Sequence, residues 1–262
     1  MKTFVITSCI KGTPAYIIES VLIRNSSLIK GVIVNTNKQK LSLKKRVQKI
    51  INKIFKIGLL GAINGIRMRS WFGAETEALL EADNLTVICK KYNIPLYYTQ
   101  SLNSNTTKNI INENKVDLGV SLGNSYISSK IFNAFTIGMI NIHGEILPDY
   151  QNAQSVIWQL YNDSKITGYT IHKINKKIDQ GDILYREEVP INFQPTLRKT
   201  IAQTCADITI GAANGLIIVL NDFNYYWNNA VKQESSNQYT TPNIYQYIKI
   251  VNNFKLLKEI EK

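Results

Sequence analysis

Five short β-prone runs punctuate the first 142 residues: KTFVITSC (2–9), LIKGVIVNT (28–36), IPLYYT (94–99), VDLGVSL (116–122) and TIGMINI (136–142). Helical patterns lie between them, in TPAYIIESVLIRN, ETEALLEADNLTVICKKYN, NTTKNIINEN and SSKIFNAF. Near-continuous apolar strands are strands covered on both faces, and their alternation with helices implies a parallel sheet sandwiched between helical layers. GLLGAINGIRMRSWFG (58–73) interrupts the alternation and reads as a Gly-punctuated connection.

The second half changes character. AQSVIWQLYN reads as a helix, TGYTIHKIN and DILYREEVPI as two strands close in sequence, and residues 196–220 as one long helix. An Asn/Tyr-rich tail follows from Asn221, ending in the helical YIKIVNNFKLLKEIEK. The expected fold is α/β, a doubly wound, mostly parallel, Rossmann-like core over residues 1–190. Residues 191–262 then form a small C-terminal appendage, with 262 residues at 44% hydrophobic sufficing for one sizeable core.

The charge is uneven. Residues 38–56, KQKLSLKKRVQKIINKIFK, carry many cations and no acid, with Leu43, Val47, Ile50, Ile51 and Ile54 at helical spacing. This basic amphipathic helix has three readings: a core-packed helix with a solvated charged face, a device steering phosphorylated substrates, or a dock for membrane or nucleic acid. The net charge of +12 favours anionic partners in general. No uninterrupted apolar run of transmembrane length and no signal-peptide pattern is evident. Cys9, Cys89 and Cys205 are odd in number and lack metal-ligand spacing, so they read as reduced core thiols of a cytoplasmic protein that uses no metal.

A nicotinamide-binding domain would place G-x-G-x-x-G after its first strand, but the turn here is SCIKGTPAY, with a single glycine, and no P-loop is present. Attention moves instead to NIHGEILPDY (141–150), at the carboxyl end of the fifth strand, where open α/β sheets bind ligands. Positions i and i+2 of a strand share a side, so Asn141 and His143 can face one pocket. Downstream, KKIDQGDIL sets Asp179 in a turn, with Gly181 permitting close backbone approach. Amide, imidazole and carboxylate converging on one pocket suit acyl transfer to an amine: the amide donates to an oxyanion, the imidazole takes a proton, and the carboxylate steadies the imidazolium. Spacing alone leaves a hydrogen-bonded structural histidine as the alternative.

NIHGEILPDY, followed by TGYTIH (167–172) and DQGDIL (179–184), resembles the catalytic core of folate-dependent formyltransferases. The resemblance covers residues 1–190 and is sharpest over 117–190. It implies a formyl group passed from N10-formyltetrahydrofolate to a substrate amine, with Asn141, His143 and Asp179 matching the family's Asn-His-Asp triad. It also implies a pterin held by SLGNSYI, at Leu122, Gly123 and Tyr126, and by the neighbourhood of Ile178 and Asp179. His172 reads as structural. Asn152 stands where members often have Gly, and Asn tolerates positive φ. Glu145, beside the expected mouth, reads as a solvated loop residue or a partner for a substrate ammonium.

Within that resemblance the branch follows by elimination. SCIKGTPAY is a poor match to the phosphate loop of glycinamide ribonucleotide transformylases, the core begins at Met1 without the hydrolases' preceding domain, and the tail is short for the OB-type barrel of methionyl-tRNA formyltransferases. The chain then resembles the sugar N-formyltransferases, which act on a nucleotide-linked amino-deoxy sugar, here expected as dTDP-linked and destined for cell-surface polysaccharide such as O-antigen. Lys11, Arg67 and Arg69 are candidates for the pyrophosphate, with Glu145 and Tyr150 as further substrate contacts. The resemblance favours a homodimer and makes nucleic acid an unexpected partner. The rival readings are a methionyl-tRNA formyltransferase-like enzyme and a non-enzymatic polyanion- or membrane-binding protein.

Overall fold

A computed structural model describes residues 1–36, 42–152, 156–234 and 238–260. Its seven-stranded sheet has the order β3-β2-β1-β4-β5-β6-β7. Strands β1 (Thr3–Thr7), β2 (Gly31–Asn35), β3 (Leu96–Thr99), β4 (Leu118–Leu122) and β5 (Gly138–His143) run parallel. β6 (Ile166–Lys173) and β7 (Ile183–Pro190) continue the sheet antiparallel. The expected doubly wound, mostly parallel architecture is what the chain adopts.

Alternation along β1 shows why its run is apolar throughout. Phe4 and Ile6 point into one cluster with Ile33, Ile111, Ile131 and Met139, whereas Val5 points into the other with Val32, Val120 and Leu216. Each cluster is roofed by helices: α5 (Asn105–Glu113) and α6 (Ser129–Phe132) on the first side, α1 (Thr13–Arg24) and α8 (Leu197–Asn221) on the second. α8 falls in the range read as an appendage, yet Ile208, Ala212, Ala213, Leu216, Val219 and Leu220 sit in the same cluster as β1 and β4. Among the described residues α8 is also the one helix long and apolar enough to cross a bilayer, by length and composition only. It is a core helix with its apolar side on the sheet.

Three other segments differ from expectation. Residues 59–72 are not a connection but the second half of α2 (Leu43–Phe72), which kinks at Gly58, where φ is 75°. Gly61 and Gly65 do not break this half, because they let it approach the tail: a Cβ on Gly65 would come 2.6 Å from a Thr241 methyl, and one on Gly61 3.2 Å from the Pro242 carbonyl. The helix expected over 75–93 is two, α3 (Ala74–Leu80) and α4 (Leu85–Lys91). Asn84 starts the second, its side chain accepting from the Thr86 and Val87 amides. The first three residues of AQSVIWQLYN lie outside the described residues, and α7 is described over Ile157–Tyr161.

α9 (Phe223–Asn228) follows α8, and α10 (Ile244–Ile260) ends the described chain. A third cluster ties α10 to the body: Ile250, Phe254 and Leu257 pack with Met68 and Trp71 of α2, Ile157 and Leu160 of α7, and Ile201 of α8.

Candidate active site

The sheet register assembles the site. Asn141 of β5 lies opposite His172 of β6, and beside Ser121 of β4. Directly opposed residues of an antiparallel pair project to the same face, and the Asn141 amide nitrogen sits 3.2 Å from His172 Nε2. His172 Nδ1 lies 2.8 Å from the Lys173 carbonyl, which only accepts, so Nδ1 carries the proton. Burial holds the His172 imidazole neutral by lowering its pKa to about 4. In that neutral tautomer Nε2 accepts from Asn141, which directs the amide oxygen and its second N–H elsewhere.

His143, two residues on, lines the same cavity. Its Nε2 lies 3.1 Å from the Tyr150 carbonyl and therefore donates. Its Nδ1 is then the basic nitrogen, and it faces Asp179 Oδ2 at 3.8 Å. The other carboxylate oxygen of Asp179 lies 3.8 Å from His172 Nε2. Asp179 thus stands between two imidazoles, that of His172, which burial holds neutral, and that of His143, whose Nδ1 faces the carboxylate.

The backbone around Asp179 is shaped to hold it there. Asp179 itself adopts φ 52°, and its carbonyl accepts from the side-chain amides of Gln151 (2.8 Å) and Gln233 (3.1 Å). Two residues on, a Cβ at Gly181 would lie 1.7 Å from the Lys173 carbonyl oxygen, so the close approach inferred from the sequence is real. Asn152 adopts φ 53°, the conformation for which Gly or Asn is suited.

The cavity, about 370 Å³, opens beyond the carboxyl ends of β4 and β5. Gly123, Tyr126 and Ile178 line it alongside Asn141, His143, His172 and Asp179. Its loop is pinned from below, where Asn124 accepts from the Ser8 hydroxyl (2.9 Å) and donates to the Ile6 carbonyl (2.7 Å). Leu122 does not line it: the side chain is buried in the core and borders a second cavity of about 480 Å³ on the other side of Gly123. Lys11 and Cys9 border that second cavity, and Cys9 is exposed rather than a core thiol.

Four expected substrate contacts are placed otherwise. Arg67 donates to the Tyr247 hydroxyl at 2.6 Å and covers the Trp71 and Tyr247 rings, and neither it nor Arg69 borders a described cavity. This follows from the helical course of 59–72, which turns Arg67 onto Tyr247 of α10 and sets Arg69 near Lys53. Glu145 is not at a mouth but 1% exposed, its carboxylate accepting from the buried Gln159 amide. Tyr150 contributes its carbonyl to His143, while its ring stacks on Tyr239, centroids 5.4 Å apart. Conversely, His172, Gln151 and Gln233 were not assigned to the site from sequence. For His172 the signal was present in TGYTIH, whose pairing with NIH brings the two polar side chains together.

The Formyl transferase family profile matches residues 17–209. The chain belongs to the formyl transferase family. A stretch of 138 residues is 36% identical to methionyl-tRNA formyltransferase of Buchnera aphidicola, covering 52% of this chain and 41% of that protein. Another of 116 residues is 30% identical to the bifunctional polymyxin resistance protein ArnA of Wigglesworthia glossinidia, covering 44% of this chain and 18% of that protein. The chain therefore spans less than half the length of these curated relatives. Among solved structures, the fold is shared with an N-formyltransferase from Helicobacter canadensis in complex with folinic acid and dTDP-3-aminofucose. The TM-score is 0.58 at 16% identity, over 99% of this chain and 82% of that one. It is shared too with the phosphoribosylglycinamide formyltransferase of Anaplasma phagocytophilum, with TM-score 0.54 at 18% identity, over 84% and 88%. Within this family fold, the polar cluster at the carboxyl ends of β4 and β5 is the candidate active site.

Proposed function

We propose that this formyltransferase moves a formyl group from N10-formyltetrahydrofolate to the amine of a nucleotide-linked amino-deoxy sugar. The observation that carries the reading is the convergence of Asn141, His143 and Asp179 on one cavity, with His172 fixing the Asn141 amide. The attacking amine forms a bond to the formyl carbon, and the bond from that carbon to the donor nitrogen breaks. As the carbonyl oxygen gains charge, the free N–H of Asn141 donates to it. The amine's proton passes to Nδ1 of His143, the imidazolium is steadied by Asp179, and the proton then goes to the departing nitrogen.

A flat bicyclic pterin suits the cavity in volume, and the 123–127 loop and the Ile178–Asp179 turn offer backbone groups to its edge. When bound, the donor supplies the activated formyl carbon. Lys11, at the second cavity, is the cation placed to meet an acceptor's phosphates. Support for a sugar acceptor comes from coverage: the N-formyltransferase of Helicobacter canadensis, in complex with dTDP-3-aminofucose, and the sugar N-formyltransferase of Shewanella cover 99% and 97% of this chain. The phosphoribosylglycinamide enzymes cover 84–85%. The reading includes a homodimer, for which Tyr245, Ile248 and Leu256 give α10 an exposed apolar side.

A second reading, transfer to charged initiator tRNA, is favoured by the methionyl-tRNA formyltransferases among the sequence relatives. Incubation with N10-formyltetrahydrofolate and a panel of dTDP-, UDP- and GDP-amino sugars, alongside charged initiator tRNA, separates the two. Mass gain of one formyl group on a nucleotide sugar supports the first, and formylation of the tRNA alone overturns it.

A further inference from the structure

Twelve of the chain's 31 cations and none of its 19 acids fall between residues 20 and 74, so the remainder balances, 19 against 19, and the whole net charge of +12 resides in this segment. α2 forms more than half of it. Of the three readings of the stripe, core packing is not met over most of its length: Ile54 is half-buried, but Leu43 is 78% exposed, Val47, Ile50 and Ile51 are exposed with it, and Phe55 beside them is 87% exposed. At 100° per residue the five exposed ones fall within an arc of about 140°, with Lys49, Lys53 and Lys56 on the opposite side. Beyond the Gly58 kink the pattern persists, since Leu59, Leu60, Ile63 and Ile66 face solvent while Met68 and Trp71 take the core side. On the lysine side only Lys53 is half-buried, partly desolvated beside Arg69 and so near Gly65 that a Cβ there would touch its Nζ, whereas Lys49 and Lys56 are exposed. The helix therefore leaves most of its apolar side uncovered, unlike a surface helix that buries its apolar stripe against the core.

We propose that the outer face of α2 docks on an anionic lipid surface, with Phe55 and its neighbours seated among the acyl chains and the lysines and arginines at the headgroups. Charge decides the occupant. An amphipathic helix with large apolar side chains on one face and cations on the other lies in the plane of a bilayer interface. Its lysines reach past their own apolar stems to the phosphates. A second copy docked on the same face would bring together two α2 helices, each with eight cations and no acid, whose like charges repel within a Debye length of about 8 Å. Nucleic acid would use the cations and leave nine exposed apolar side chains without a role. The inference is independent of which amine receives the formyl group.

Flotation of the full chain with vesicles tests it. The protein is expected to float with 30:70 phosphatidylglycerol:phosphatidylcholine vesicles and not with phosphatidylcholine alone, and to be released by 0.5 M salt. Because Phe55 is 87% exposed, Phe55→Ser leaves folding intact, and it should lower vesicle partitioning by about tenfold. Lys49→Glu with Lys56→Glu should abolish the preference for anionic vesicles. Absence of flotation, equal flotation on neutral vesicles, or partitioning unchanged by Phe55→Ser overturns the proposal. So does a dimer in sedimentation that Phe55→Ser splits without any vesicle binding, or salt-sensitive RNA binding indifferent to Phe55→Ser.

Discussion

Asn141 and His172 face each other across two antiparallel strands, and the pair sets the protonation pattern of the site. A buried histidine held neutral costs stability when the medium turns acid. The unfolded chain takes up the proton near 6.5, whereas folded His172 resists until about 4, so the unfolded state binds more protons across that window. Stability from His172 is thus full above pH 6.5 and is lost as pH falls toward 4, by an amount on the order of 3 kcal/mol. Urea denaturation between pH 7 and 4 should show this decline, and His172→Gln should flatten it. An unchanged slope in the variant would show that other groups carry the acid lability. Gly181 offers a sharper residue-scale test. Any Cβ there collides with the Lys173 carbonyl, so Gly181→Ala must displace the Asp179 turn or the end of β6. Thermal melts should show a loss of about 2 kcal/mol or more, with formyl transfer falling further than stability does.

At the scale of elements, the tail after α9 acts as a strap across the site's loops. Val231 pairs with Ile183, Gln238 with Gln151, and the Gln233 amide reaches both the Asp179 and the Gly181 carbonyls. Gln233 touches no reacting group and works by positioning Asp179. Gln233→Ala should lower kcat about tenfold with KM and melting temperature little changed, and kinetics with a melt check this. A matched loss of stability would make the residue merely structural. The same strap marks where sequence reading runs short. β1, β2 and β4 were legible because each is buried on both faces and so mostly apolar, β5 by its apolar start before Asn141, and NIH with TGYTIH and Asp179 pointed to the candidate site. The course of 59–72 was not, because Gly61 and Gly65 look like breakers until residues 241–243 arrive to pack on them. Arg67 was misplaced for the same reason, since its partner Tyr247 lies 180 positions away. Glu145 reads as a loop residue until Gln159 is folded against it. Each of these turns on a long-range contact, which local pattern does not encode.

At the scale of the whole molecule, a balanced α/β body carries the candidate active site, and an acid-free segment carries all of the net charge. Chemistry belongs to the first and location to the second, so substitutions on the α2 face should leave formyl transfer in solution unaltered. The claim on which the rest depends is that the cluster of Asn141, His143 and Asp179 performs the transfer. Its most direct measure is the single-turnover rate of formyl transfer from N10-formyltetrahydrofolate to a dTDP-linked amino sugar, read by mass, for the wild-type chain, His143→Asn and Asp179→Asn. The account predicts a formylated nucleotide sugar from the wild type and a rate at least about 10²-fold lower in each folded variant. No formylated sugar from the wild type, or near-normal rates in the variants, would contradict it.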